Sequence, residues 1–381
     1  MRFSHISDTH LGFTQFGLDE RERDVYKAFD QAIEKSITDK VEFVIFSGDI
    51  FHNPNPRGKA QMKFASALKR LNEKNISSYF VLGEHDISNV KDTPVSFIPH
   101  KLDFTNYLEN GKPLHHKNIL IIGFDKFRKN QVGLDEIKDK LKAAEKEADN
   151  HNGPKILVMH EGITEINKFA GEINSTELPS NFDYYAMGHL HDKTVVKYDN
   201  LNGPVVYPGS IEHTDSQGIG EKEKGFFEGE ISESGITEIW QPLDIRPQIS
   251  ATIDVVNLDE GIEETFEKIN SLDVKPIVEI RVKGKDIDFD LVETKIAKLR
   301  ENTLYLGVKE IGETIQGHEI LSEKPSIDEE ISKLATKYLE DEELSDFATK
   351  ELLPVLENKE VASATEIVIE NYKQFRRSKD A

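Results

Sequence analysis

The chain has 381 residues, 37% of them hydrophobic and 31% charged, with a formal net charge of −22 and no cysteine. That length suits two or three domains, and the missing thiols exclude disulfides, thiolate metal sites and cysteine nucleophiles. Any metal must therefore rest on imidazole and carboxylate, which suits manganese, iron, zinc or magnesium, while the acidic balance argues against tight unaided binding to phosphate backbones.

The first strand-like run, Arg2–Ile6, leads at once into Asp8 and His10. No charged-then-apolar leader precedes it and no apolar run approaches membrane length, so the chain is expected to be soluble and intracellular. A helix is predicted over about Glu22–Ser36, where Val25, Phe29, Ala32 and Ile33 recur at helical spacing. The run Phe43–Ser47 then ends abruptly in Gly48-Asp49, as a buried strand does when it delivers a carboxylate to the carboxyl edge of a sheet. Pro54 and Pro56 mark irregular backbone before a second helix, about Gly58–Asn72, with Met62, Ala65, Leu68 and Leu71 on one stripe.

Strand Ser78–Leu82 leads into Gly83-Glu84-His85-Asp86, and residues 87–117 read as loop with short helices. A strand at Ile119–Gly123 precedes a charged helix over Leu134–Asp149, which the Asn152-Gly153-Pro154 breaker ends. The run Ile156–Met159 closes on His160, and Tyr184–Gly188 closes on His189 and His191. The short runs Thr194–Tyr198, Val205–Tyr207, Gly225–Glu230 and Ile236–Trp240 read as an antiparallel meander closing a domain near residue 245.

Pro242 and Pro247 bracket a linker. A small β-α-β-α-β unit follows, with strands Ile249–Val256, Ile277–Val282 and Leu304–Val308 and helices about Glu260–Ser271 and Asp288–Arg300. From Pro325 the chain reads as helical, with stripes at Leu334, Tyr338 and Leu339, at Leu344, Phe347, Leu352 and Leu356, and at Ile367, Val368, Tyr372 and Phe375. So little core suggests a segment that docks on a partner. The expected division is 1–245, 246–320 and 321–381.

Seven donors stand at strand ends: Asp8, His10, Asp49, Glu84, His160, His189 and His191. Seven are too many for one ion with open positions and about right for two. Asp8 and His10 are two residues apart, as are His189 and His191, and in extended chain that spacing points both side chains to one side, so each pair can chelate. A two-metal site with a bridging carboxylate acidifies a water and clamps a phosphoryl oxygen, so attack on a phosphoester is its natural reaction. Singly each motif is weak; in this order, each at the end of an apolar run, they make a metal site built from many strands.

These motifs resemble the calcineurin-like metallophosphoesterase pattern. Ser7-Asp8-Thr9-His10-Leu11-Gly12 and Gly48-Asp49-Ile50-Phe51-His52 are similar to its Mre-eleven/SbcD nuclease branch. The resemblance covers nearly the whole chain, specific in the first 210 residues and architectural afterwards. It implies an α/β fold: a four-layer α/β/β/α metallophosphoesterase sandwich with a small α/β capping domain and a C-terminal helical segment. It implies two manganese ions, one on Asp8, His10, Asp49 and His191, the other on Asp49, Glu84, His160 and His189, with Asp49 as bridge. His85 would protonate the departing 3′ oxygen, and His52 would help position or rotate substrate.

The implied activity is a manganese-dependent double-strand exonuclease (3′–5′) and single-strand endonuclease that processes DNA ends in double-strand break repair, in the cytoplasm and at the nucleoid. A homodimer through helices near residues 58–72 and 88–108 is implied, as is a Rad-fifty/SbcC-type SMC-like ATPase docking after Pro325. Such a partner could carry the basic DNA-binding surface that this acidic chain lacks. Glu84 departs from the family's Gly-Asn-His-Asp, leaving ligands plus metals at about +1 rather than about +2, and so implies tighter metal retention and a less acidified water.

His213 is a candidate neighbour of the site. The basic clusters Arg21/Arg23, Lys126/Arg128/Lys129, Arg281/Lys283/Lys285 and Arg376/Arg377/Lys379 could contact phosphates or be solvated charges. Two other classes remain: a dinuclear-metal phosphodiesterase or phosphatase acting on small molecules, and a non-catalytic scaffold retaining the fold. The scaffold predicts eroded ligands, and here every position holds a competent donor.

Overall fold

A computed structural model describes residues 1–88, 93–127, 134–214, 219, 222–233, 235–285, 287–311, 342–352, 365 and 367–369. Two six-stranded sheets carry the first part of the chain. The first orders its strands β12-β11-β1-β2-β3-β4, where β1 is Arg2–Ile6, β2 Phe43–Ser47, β3 Ser77–Val81, β4 Asn106–Tyr107, β11 Gly225–Ser232 and β12 Gly235–Pro242. The second orders them β5-β6-β7-β8-β10-β9, where β5 is Leu114–His116, β6 Ile119–Phe124, β7 Lys155–His160, β8 Tyr184–Gly188, β9 Thr194–Val196 and β10 Val205–Tyr207.

Strand alternation builds the layers. On β2, Phe43 and Ile45 point into a core shared by the two sheets, where they meet Ile119, Ile121, Ile156 and Val158. Val44 and Phe46 point the other way and pack with Phe29, Ala32, Phe64 and Leu68 of helices α1 (Asp19–Thr38) and α2 (Gly58–Glu73). On the far side, Leu120, Ile122, Leu157 and Met159 pack with Ile137, Leu141 and Ala144 of α4 (Leu134–Asp149). The result is the expected α/β/β/α sandwich.

Parallel pairing brings the functional strand ends together. β1, β2 and β3 run parallel, with Ile6 beside Phe46 and Ser47 beside Val81. β7 and β8 do the same in the second sheet, with His160 beside Gly188. Each sheet therefore delivers its Gly-, Asp- and His-bearing loops from one edge.

Two readings of the sequence are corrected. The runs after residue 194 do not form one meander: β10 lies parallel to β8 and antiparallel to β9, while β11 returns to the first sheet, antiparallel to β1. Val205-Val206-Tyr207 is wholly buried, so it fits an inner position and not an exposed hairpin. Residues 87–117 hold, besides loop, β4, β5 and the short helix α3 (Phe97–Lys101).

The β-α-β-α-β unit is present as read: β13 (Gln248–Asp254), α5 (Leu258–Asn270), β14 (Ile277–Lys283), α6 (Phe289–Arg300) and β15 (Tyr305–Ile311), in sheet order β13-β14-β15. By compactness the chain divides into two units. One comprises Met1–Ile253, Asn257–Arg281 and Asp288–Lys309; the other takes in Asp254–Val256, Val282–Ile287 and what is described of Glu310–Ala381. In the latter, α7 (Glu342–Asp346) runs into a π-helical turn, Phe347–Leu352. The remaining stripe residues, Leu334, Tyr338, Leu339, Leu356, Tyr372 and Phe375, lie outside the described residues. Among the described residues no helix is long and apolar enough to cross a membrane.

One buried acid makes stability depend on pH. Glu228 on β11 is fully buried beside Ser4 of β1, and burial, then the neighbouring Asp39, push its carboxyl up to about 7. Between the ordinary carboxylate range and about 7 the folded chain holds a proton that the unfolded chain has released. Stability therefore falls as pH rises through that window. Glu228→Gln is expected to stabilise by about 1–3 kcal/mol at pH 8 and by little at pH 4. Urea denaturation at both values checks this; an equal gain at both would exclude the carboxyl as its source.

Candidate metal centre

The loops that carry the donors are built on unusual backbone. Asp8, His10, Asp49 and His189 have φ of +49°, +41°, +49° and +90°, a region that L side chains enter at a cost of about 1–2 kcal/mol each. Such strain persists only where neighbours enforce it. Here Asp8 N–H donates to Gly48 O at 3.2 Å and His10 N–H to Asp49 O at 3.0 Å, so the first two loops run locked side by side. The backbone N–H of His189 donates to both oxygens of Asp8 at 3.2 Å, tying the second sheet to the first.

All seven donors converge. His10 Nε2 lies 3.1 Å from His191 Nε2 and 3.7 Å from Asp49 Oδ2, and His191 Nε2 is 3.7 Å from Asp8 Oδ1. His160 Nε2 lies 3.4 Å from Asp49 Oδ2 and 4.0 Å from Asp8 Oδ1. Glu84 stands with Asp49 and His85 in one cluster, and its Oε2 is 3.6 Å from His189 Nδ1. Asp49 belongs both to the cluster with Asp8 and His160 and to that with Glu84 and His85, the placement a bridging carboxylate needs.

His160 tests whether the set suits cations. Its Nδ1 is 2.8 Å from Ser47 O, a contact that requires the proton on Nδ1. Nε2 is buried without a hydrogen-bond partner, facing two carboxylates. A lone pair aimed at carboxylates is repulsive unless a proton or a metal cation stands between. Burial lowers the basicity of His160, but the charges of Asp49 and Asp8 outweigh it and push the imidazole up to about 10. Burial likewise opposes charge on Asp49, yet the imidazoles of His160 and His10 hold it below the usual carboxylate range. The donor set is one that divalent cations fit.

His85 and His52 flank this cluster. Backbone N–H of His85 donates to Asp49 Oδ1 at 2.9 Å, and His85 Nδ1 is 2.7 Å from His52 O, while Nε2 lies 3.9 Å from Glu84 Oε1. The two rings stack with centroids 5.3 Å apart, and Phe13 packs on His52 at 4.5 Å. Burial, then His85, lower His52 to about 4, so it is neutral at physiological pH.

Some contributors carry no sequence signal of their own. Asp86 accepts hydrogen bonds from the N–H groups of Ile50, Phe51 and Gly83 at 3.2, 3.0 and 3.0 Å, pinning two of the site's loops together; its place directly after His85 was the available hint. Lys126, read as part of a surface basic cluster, has a side chain only 7% exposed, within 3.8 Å of Glu84, Glu161 and Glu172. Glu172 comes from a polar loop and reaches His189 Nε2 at 3.3 Å. His213 contributes through its backbone, whose carbonyl accepts from Arg21 Nη2 at 3.3 Å, while Thr214 Oγ1 sits 3.2 Å from His191 Nδ1.

Residues 1–193 match the model of the calcineurin-like phosphoesterase family. The chain is 31% identical to the DNA double-strand break repair protein Mre11 of Methanocaldococcus jannaschii over 78% of this chain and 81% of that protein. It is 31% identical to the protein of that name from Thermoplasma acidophilum, over 79% and 81% of the two chains. To the one from Methanococcus maripaludis it is 29% identical over 86% and 89%.

Proposed function

Because this chain belongs to the calcineurin-like phosphoesterase family and, within it, to the Mre11 proteins of DNA double-strand break repair, we propose that it is a manganese-dependent nuclease, a 3′–5′ exonuclease on duplex ends and an endonuclease on single strands. The chain is a phosphodiester hydrolase; metal, polarity and substrate are the proposal. The observation that carries it is the place of Asp49, common to the cluster with Asp8 and His160 and to that with Glu84 and His85.

In this reading Asp8, His10, Asp49 and His191 hold one manganese ion, and Asp49, Glu84, His160 and His189 the other. Two such cations would clamp the scissile phosphate and acidify a water. His85, its Nδ1 tied to His52 O, presents Nε2 as the donor that protonates the leaving 3′ oxygen. Neutral His52, held by packing on Phe13 and stacking on His85, positions the substrate strand. Glu84 adds a negative charge where the family carries an amide. Glu84→Asn is therefore expected to weaken manganese binding and move the acid limb of the pH–rate profile to lower pH; calorimetric titration and the profile check it, and no change in either would exclude the charge effect.

The proposed domains are 1–245 for the nuclease, 246–320 for the cap and 321–381 for docking of a Rad-fifty/SbcC-type SMC-like ATPase. Exposed Leu344, Val368 and Ile369 support the docking role. Exposed Met62 on α2 and Ile98 and Leu102 at α3 support a homodimer through those helices. A partner able to carry positive charge also answers the chain's −22.

The test is an end-labelled linear duplex incubated with the chain and manganese, beside His85→Ala. Release of label by the wild type alone supports the reading. A duplex left intact while a chromogenic phosphodiester is hydrolysed, even with the ATPase added, would favour a small-molecule phosphodiesterase instead.

A further inference from the structure

We propose that Glu172, held by Lys126, is a positioning residue that fixes the proton of His189 on Nε2 and so leaves Nδ1 free to face the site beside Glu84. The proposal rests on the reading of His189 as a metal donor. The His189 ring lies between two carboxylates, with Nδ1 3.6 Å from Glu84 Oε2 and Nε2 3.3 Å from Glu172 Oε1. An imidazole in that position has two neutral tautomers, and only the one protonated on Nε2 turns its lone pair toward Glu84 and the other donors.

Glu172 is fixed more firmly than a surface loop carboxylate. Lys126 Nζ donates to its Oε1 at 2.6 Å, and Gly162 N–H donates to its Oε2 at 2.8 Å. Its own N–H donates to Gly162 O at 2.9 Å, and Thr164 N–H to Ile173 O at 2.9 Å closes the loop. A side chain at Gly162 would overlap Ala170 O and come within 3.2 Å of Glu172 Oε2. Lys126 is anchored in turn by its N–H on Leu82 O at 2.9 Å, at the end of β3. Its ammonium stands 3.4 Å from Glu161 and 3.8 Å from Glu84.

A cation already occupies the place where Glu172 could take a metal, namely the Lys126 ammonium. Its hydrogen bond to Glu172 at 2.6 Å, against 3.8 Å from Glu84, assigns Glu172 to orienting a donor. Carboxylates that hold a metal-binding histidine by its other nitrogen change metal affinity by about 10–100-fold when removed. A purely structural salt bridge would stiffen the loop without setting the tautomer.

The experiment separates these roles. Long-range proton–nitrogen spectra of the metal-free chain at pH 8, with the His189 signals assigned by their loss in His189→Asn, should show Nε2 protonated. Glu172→Ala should populate the other tautomer, while Glu172→Gln, which keeps the acceptor oxygen, should not. In calorimetric titration with manganese, Glu172→Ala should lose about 10–100-fold in affinity for one of two ions, Lys126→Met less, and Glu172→Gln about threefold at most. An unchanged tautomer in Glu172→Ala, or a shifted tautomer with unchanged affinity, overturns the proposal. Should Glu172→Ala fail to fold, Glu172→Leu, which keeps the volume and removes the acceptor, carries the same readouts, and wild-type affinity with the wild-type tautomer in Lys126→Met removes Lys126 from the proposal. A wild type that binds fewer than two manganese ions overturns the two-metal reading instead, whatever the spectra show.

Discussion

Asp49→Asn is expected to lower hydrolysis at least about 1,000-fold and to cut manganese stoichiometry below two. Asp49 is shared by the cluster with Asp8 and His160 and the cluster with Glu84 and His85. One oxygen lies 3.7 Å from His10 Nε2 and 3.4 Å from His160 Nε2, at the junction of the two proposed donor sets, while the other accepts the backbone N–H of His85 at 2.9 Å. An amide keeps the volume and one acceptor oxygen. It loses the charge that offsets the cations and one of two equivalent donor atoms. Loss of about 4 kcal/mol of metal-derived stabilisation corresponds to the stated factor.

The folded state should survive this change. Asp49 is buried amid imidazoles and beside Asp86, whose carboxyl is pushed up to about 7 first by burial and then by Asp49. Removing the Asp49 charge relieves that repulsion. Metal content of the purified variant, turnover on duplex, and a thermal melt of both metal-free proteins together check the expectation. A variant retaining two manganese ions and more than a tenth of wild-type turnover would remove Asp49 from the bridge.

Strand ends were the legible part of this chain because two independent signals coincide there. The run Val44-Ile45-Phe46-Ser47 is buried on both faces, so it reads as continuous apolar sequence, and the following Gly-Asp breaks it at the functional edge. The same holds for Ile156–Met159 before His160 and for Tyr184–Met187 before Gly188. Sequence periodicity states that a strand is buried and does not state which strand it lies beside. That is why Val205–Tyr207 was assigned to a meander when it pairs in parallel with β8. Lys126 and Glu172 were illegible for another reason. Each sits in a charged, aperiodic stretch, and their meaning comes from meeting across 46 residues of chain. Glu84 was visible as a departure from the family pattern, but the cation 3.8 Å from it was not.

Gly188→Ala is expected to destabilise the chain by about 2–6 kcal/mol and to abolish metal binding, although it adds one methyl group far from solvent. Three glycines of the donor-bearing loops lie where strand ends approach closely, Gly48 and Gly188 against the other sheet and Gly83 against Asp49 of its own. A Cβ on Gly188 would overlap Ser47 O and stand 2.6 Å from Ser7 Oγ and 2.7 Å from His160 Nδ1. Those atoms are the ones that fix the site: Ser47 O accepts from His160 Nδ1, and Ser7 Oγ donates to Asp8. On Gly48, with φ of +94°, it would lie 2.7 Å from His160 Cγ, and on Gly83 2.6 Å from Asp49 Cγ. None of these neighbours is the free end of a flexible chain. Overpacking a rigid core commonly costs about 1–3 kcal/mol, and here the same displacement also breaks the His160 hydrogen bond, leaving buried polar groups unpaired at about 1–3 kcal/mol more. Gly58→Ala supplies the contrast. That residue opens α2 at ordinary φ with nothing within 4 Å of a new Cβ, so the change should be neutral or stabilise by up to about 1 kcal/mol. Urea denaturation of both variants, with manganese titration of whatever folds, decides the matter. Equal stability of the two would mean that the sheets can separate at this edge without loss, and the close approach at Gly188 would not be what holds the donors together.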